Sequence, residues 1–155
     1  MTPVRLRALI DTNVLISYLL APVGSNSPPS SILAHAFSAD FELFISETTL
    51  AELRDRTQDK PYLASRITAG DVDQMESTIR SIATIIPSPN VLPPAATRDP
   101  KDDYLLAPDI VALVDHIVTG DKDLLEAEGV SNTLVVTPAA FLRLLDERLD
   151  SGHET

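Results

Sequence analysis

Along this chain, short unbroken apolar runs alternate with longer stretches in which apolar residues recur at helical spacing. Leu9-Ile10 leads into Asp11-Thr12-Asn13, and Val14-Leu15-Ile16 resumes at once, the pattern of a buried strand feeding a helix through a polar elbow. That helix is expected over 13–20, closed by Ala21-Pro22-Val23-Gly24 and a Ser/Pro/Asn loop, with a second helix over 30–39. Residues 41–45 read as a second buried strand, and Ser46 as the cap of a helix carrying Leu50, Glu52 and Leu53. Helices over 61–67 and 72–83 follow, with Ile85-Ile86 as at most a short edge strand and the proline-rich 87–100 as a surface connection. The second half repeats strand then helix. Asp99-Pro100 starts a helix over 101–114, 116–118 is a strand, 122–127 a short helix and 133–136 a strand. Thr137-Pro138 opens a last helix with Phe141, Leu144, Leu145 and Leu149 on one face.

Strands alternating with helices in this way imply a mainly parallel sheet covered on both sides, a three-layer α/β/α sandwich. At 155 residues the chain suits one domain, expected over 1–150 with a short polar tail at 151–155. A hydrophobic fraction of 44% suits a globular fold, and the absence of cysteine excludes disulfides, thiolate nucleophiles and Cys-type zinc sites. No apolar signal core precedes the first strand and no apolar run reaches bilayer length, so the expectation is a soluble cytoplasmic protein with no membrane contact. Twelve basic against twenty-three acidic residues give a net charge of -11, the wrong sign for holding nucleic acid by bulk electrostatics. A polyanionic substrate would need bound divalent cations, a basic partner, or a local strip such as Arg54, Arg56, Lys60 and Arg66. Taken singly, those basic residues read as ordinary solvated surface.

The acids at strand ends and helix starts carry the chemistry. Asp11 falls at the carboxyl end of the first strand, where ligands bind in open α/β sheets. Equally, Asp11, Thr12 or Asn13 would serve simply to cap the next helix. Glu52 lies on the helix after the second strand and would pair with Arg56 one turn on if its role were structural. Asp103 shares a helical stripe with Leu106, Ala107, Ile110 and Val114, whereas Asp102 suits a capping box with Asp99. Asp121 and Asp123 follow the strand 116–118, where they would alternatively cap and favour the start of the short helix. An alternating α/β chain brings all of these to one end of one sheet. Converging carboxylates repel, so either some are protonated or a cation neutralises them. With no cysteine, and with His35, His116 and His153 outside the cluster, the donors are all oxygen, which suits Mg²⁺ or Mn²⁺. Metal-assisted phosphodiester hydrolysis is the chemistry such a site performs. No P-loop, dinucleotide glycine fingerprint or Ser–His–acid arrangement offers a rival.

Leu9-Ile10-Asp11-Thr12-Asn13-Val14-Leu15, Leu50-Ala51-Glu52-Leu53, Arg98-Asp99-Pro100-Lys101-Asp102-Asp103 and Val118-Thr119-Gly120-Asp121-Lys122-Asp123 resemble, in this order, the acidic motifs of the PIN-domain family. Thr137-Pro138-Ala139-Ala140-Phe141-Leu142 is similar to its closing segment. The resemblance implies a PIN-like α/β/α fold and a Mg²⁺- or Mn²⁺-dependent ribonuclease, most like the VapC-like toxins of toxin–antitoxin pairs. It implies Asp11, Glu52, Asp103 and Asp121 as the catalytic and metal-binding acids, Asp123 as an auxiliary acid, and Asn13 and Thr119 as residues that orient the carboxylates. RNA as substrate, a cognate antitoxin and a homodimer are further implications. Pro108, inside the expected helix 101–114, departs from the family's alanine-rich pattern and should bend that element. Two other classes share some of these residues. One is a catalytically silent PIN-like module binding RNA or protein. The other is a haloacid-dehalogenase-like phosphatase with Asp11 as nucleophile, which calls for a second Asp where Asn13 stands.

Overall fold

The apolar runs become strands buried on both faces, and their alternation assigns each side chain to one of two separate cores. The computed structural model describes residues 5–87, 103–106, 108–126 and 133–152, with the side chains of 103–104, 108–109 and 151–152 outside the description. Within these, β1 (Arg7–Ile10), β2 (Glu42–Ser46), β3 (Thr84–Ile86), β4 (His116–Val118) and β5 (Leu134–Val136) form one sheet in the order β3-β2-β1-β4-β5. Every pairing is parallel. Ala8, Ile10, Leu43, Ile45 and Val118 face one way, toward α1 (Thr12–Leu20), α2 (Pro28–Phe37), α3 (Glu47–Asp59), α4 (Pro61–Ala64), α5 (Ala69–Ile82) and α8 (Pro138–Gly152). Leu9, Phe44 and Ile117 face the other way, onto a thinner layer made by a 3-10 turn (Asp103–Leu106), α6 (Pro108–Val111) and α7 (Lys122–Glu126). The three-layer, mainly parallel expectation is met, with the sheet wholly parallel and Ile85-Ile86 part of a genuine edge strand.

The topology puts a reversal in the middle of the sheet. From β1 the chain steps outward through β2 to β3, then crosses back to β4 beside β1 and continues outward to β5. The crevice between the carboxyl ends of β1 and β4 is therefore the topological switch point, the place where open α/β sheets hold their ligands.

Several elements differ from expectation in extent, for local reasons. The expected helix 61–67 stops at Ala64, because Thr68 must be extended (φ -81°, ψ 160°) to cap α5. Helix α5 begins at Ala69, three residues before the apolar periodicity starts. Thr68 accepts from the Asp71 amide while Asp71 accepts from the Thr68 amide, a capping box that extends the helix backward. Helix α2 likewise starts early, at Pro28 in its first turn. The expected continuous helix 101–114 is a 3-10 turn over Asp103–Leu106 followed by the separate one-turn helix α6, which Pro108 opens. A proline is suited to a first helical position and unsuited to an interior one. Leu106, Ile110 and Val114 are nonetheless buried together, as the stripe required. Asp99, Lys101, Asp102, Ala107 and most of the proline-rich 87–100 connection lie outside the described residues.

Candidate functional site

Asp11 leaves β1 in an extended conformation (φ -77°, ψ 158°) and caps α1. Its position is fixed from both sides, since its amide donates to the Val118 carbonyl of β4 at 3.0 Å. The carboxylate is 4% exposed and engaged by three donors. Oδ1 accepts from the Thr12 amide at 2.7 Å. Oδ2 accepts from the Thr119 hydroxyl at 2.7 Å and from Asn13 Nδ2 at 3.1 Å. The cap is made through Oδ1, and Oδ2 is tied to Thr119 and Asn13 across the crevice.

Thr119, fully buried just past β4, is the hub. Its hydroxyl donates to Asp11 and accepts from the Asp121 amide at 3.0 Å and from Asn13 Nδ2 at 3.4 Å, which uses the one donor and two acceptor positions a hydroxyl has. Asn13 closes the loop, its Oδ1 accepting from the Gly120 amide at 3.2 Å. Asp121 Oδ1 then accepts from the Asp123 amide at 2.8 Å, so Asp121 also caps α7.

Glu52 enters from α3. Its Oε2 accepts from the Thr12 hydroxyl at 3.0 Å and lies 3.4 Å from Arg56 Nη2. The one-turn pairing with Arg56 and the approach to the Asp11 elbow therefore coexist. Arg54, on the same helix, ion-pairs with Asp73 at 2.9 Å and Glu76 at 3.2 Å on α5. Asp103 opens the 3-10 turn, and its side chain is outside the described residues. The structure thus brings Asp11, Asn13, Glu52, Thr119 and Asp121 into one hydrogen-bonded constellation, with Asp123 attached through its amide. Thr12 belongs to it as well, a residue the sequence marked only as a possible cap.

Burial raises the Asp11 carboxyl above its ordinary value of 3.8, partly offset by the Thr119 hydroxyl, the Thr12 amide and Arg56, while Asp121 pushes it further up. A desolvated carboxylate beside a second acid is a place where a cation relieves a cost the protein otherwise bears. Among the described residues no three His, Asp or Glu side chains form a ready metal cage. Mg²⁺ does not require one, since it is held by one or two carboxylates with water and substrate phosphate completing its shell. The all-oxygen donors around Asp11 and Asp121 fit such an ion. A cleft of about 650 Å³ lies elsewhere, lined by residues including Tyr18, Phe37, Met75 and Ile79, and includes none of these acids.

The chain is thus an open, all-parallel α/β domain with a buried acid, Asp11, and two half-buried ones, Glu52 and Asp121, at its switch point. The PIN domain model matches residues 7–123, from the first strand through the last acid of the cluster, and the chain belongs to the PIN domain family. No curated protein matches it. PIN domains are generally nucleases that bind nucleic acid and typically use divalent metals. Among the described residues no helix is long and apolar enough to cross a membrane.

Proposed function

We propose that this chain is a Mg²⁺- or Mn²⁺-dependent endoribonuclease and the toxin of a toxin–antitoxin pair, a single domain over 1–150 acting in the cytoplasm as a homodimer silenced by a cognate antitoxin. The supporting observation is the Asp11 carboxylate, buried at the switch point yet aimed by three donors. Among the described residues two of them reach Oδ2 and one reaches Oδ1, which gives Oδ1 an acceptor position suited to a further partner. Asp11, Glu52, Asp103 and Asp121 are the proposed catalytic and metal-holding acids, Asn13 and Thr119 orient Asp11, and Asp123 is the auxiliary acid. When bound, the cation neutralises phosphodiester charge and acidifies a water for attack on phosphorus. The protein's own part is to hold the acids ready, so that little reorganisation is needed as substrate arrives. Arg56, beside Glu52, is a proposed contact for the RNA backbone. Arg54 would join it by exchanging Asp73 and Glu76 for a phosphate. The net charge of -11 makes such local cations and the bound metal the route by which RNA is tolerated.

Calorimetric titration with Mn²⁺ and an RNA-cleavage assay with and without chelator test this, on wild type, Asp11→Asn and Asp103→Asn, each checked by circular dichroism. Saturable binding and chelator-sensitive cleavage in wild type, both lost in the folded variants, are expected. A folded wild type that holds RNA without metal or turnover would make the chain a binding module. Hydrolysis of small phosphate monoesters but not RNA would make it a phosphatase.

A further inference from the structure

Thr12 donates to two of the proposed acids at once. Its amide reaches Asp11 Oδ1 at 2.7 Å and its hydroxyl reaches Glu52 Oε2 at 3.0 Å. We infer that Thr12 is a positioning residue that fixes the Glu52 carboxylate relative to Asp11 and so sets the separation of two of the site's acids. The inference rests on the nuclease reading for its consequence, though not for its geometry.

Glu52 reaches the site on a long side chain from the middle of α3, and holding such a side chain in one place costs rotamer freedom. Among the described contacts, Thr12 and Arg56 meet it at Oε2. Arg56 is itself long, about a third exposed and on the same helix as Glu52, so it ties Glu52 to its own helix and not to β1. Thr12 is fully buried, sits in the first turn of α1 where the backbone is anchored by Asp11, and is β-branched and stiff at χ1. Its hydroxyl is therefore a fixed point on the elbow, forty residues away in sequence, that a flexible glutamate can be measured against. The amide bond lies within the elbow and the hydroxyl bond reaches across to α3, so α3 cannot shift relative to the β1–α1 elbow without losing the latter. Alanine or valine at this position would keep the amide bond to Asp11 and remove the hydroxyl that ties Glu52 to the elbow. Serine would keep both donors with a looser rotamer.

The test compares wild type with Thr12→Val, which conserves volume and removes only the hydroxyl, and with Thr12→Ser. In the metal-free protein, NMR relaxation of the Glu52 Cγ methylene should show an ordered side chain in wild type and in Thr12→Ser, and an averaged one in Thr12→Val. Mn²⁺ titration should show a dissociation constant roughly tenfold higher in Thr12→Val, the scale seen when partners of ligating side chains are removed. RNA cleavage should lose kcat with KM little changed, and Thr12→Ser should restore most of both. In a Glu52→Ala background Thr12→Val should have no further effect on Mn²⁺ affinity, because a residue that acts through Glu52 has nothing left to hold. A Glu52 side chain equally ordered in the valine variant overturns the inference, as does an equal loss of affinity with and without Glu52. Ordering lost in Thr12→Val while wild type neither binds Mn²⁺ nor cuts RNA would uphold the positioning role and remove the nuclease reading.

Discussion

Replacing Thr119 by valine removes one hydroxyl from the centre of the constellation and leaves the side-chain shape almost unchanged. The residue is fully buried, so no water can replace what is lost. The bond to Asp11 Oδ2, at 2.7 Å, is to a charged acceptor, a type that contributes about 1.5–3 kcal/mol. The Asp121 amide, which donates to the same hydroxyl at 3.0 Å, loses a neutral bond, about 1 kcal/mol more. The 3.4 Å contact from Asn13 is too long to add much. Thr119→Val should thus destabilise the fold by about 2–4 kcal/mol, which for a chain of this length lowers the melting temperature by about 6–12 °C. Thr119→Ser keeps the hydroxyl, loses a methyl and should cost about 1 kcal/mol. The charge on Asp11 supplies a second handle. The Thr119 bond favours the ionised form and burial opposes it, with burial prevailing, so removing the hydroxyl raises Asp11 further. The penalty is then fullest above the raised value, where Asp11 is ionised, and shrinks as pH falls through it. Asp11's own burial has the opposite sign in the linkage. Its contribution to stability is fully present below the ordinary value of 3.8 and is lost as pH rises through the raised one. Thermal unfolding followed by circular dichroism across a pH series from neutral into acid measures both effects. A valine variant that melts within about 2 °C of the serine variant, or a gap between them that does not narrow in acid, would refute the assignment of Thr119 as the hub.

Two further outcomes follow from groups away from the site. His116 is buried under α8 with its ring 5.6 Å from that of Phe141, and its Nδ1 has no hydrogen-bond partner among the described residues. Burial lowers its value from 6.5, with Asp115 drawing it up and Arg148 pushing it down. Because the folded value lies below the unfolded one, its contribution is whole above about pH 6.5 and declines as pH falls, by up to about 1.4 kcal/mol per pH unit. Urea midpoints for His116→Phe should fall less between about pH 7.5 and about pH 5.5 than those of wild type, and identical pH dependence would show that His116 titrates normally. Thr68→Ala removes half of the capping box of α5 and should cost about 1 kcal/mol in chemical denaturation. Since α5 contributes no acid to the constellation, its Mn²⁺ affinity by calorimetry should equal that of wild type.

The strands were legible because each leaves a short apolar run, unbroken in β1, β2 and β4 where both faces are buried, and β1, β2, β4 and the half-buried edge strand β5 all fall within a residue or so of where Leu9-Ile10, Phe44-Ile45, Ile117-Val118 and Val135-Val136 place them. Helix starts were legible where a local bond sets them, as at Ser46, whose hydroxyl accepts from the Thr49 amide at 3.0 Å. The Thr68-x-x-Asp71 signature was equally local and would have placed the start of α5 had it been weighed against the apolar periodicity. Pro108 advertised a bend, and the structure has a 3-10 turn over Asp103–Leu106 with Pro108 as the first residue of α6.

By itself, the sequence determined the alternation of strand and helix, the placement of acids just beyond the strands, and the oxygen-only chemistry of the cluster, because these depend on residue type and short-range spacing. Which of these side chains meet was decided by tertiary structure. Asp11 and Thr119 are separated by 108 positions and meet only because β1 and β4 pair in parallel at the reversal of the sheet. Glu52 and Thr12 meet only because α3 packs against α1. Hydrogen bonds of this kind connect residues whose separation along the chain has no period, so no local pattern records them, and the parallel sheet is what brings them within reach.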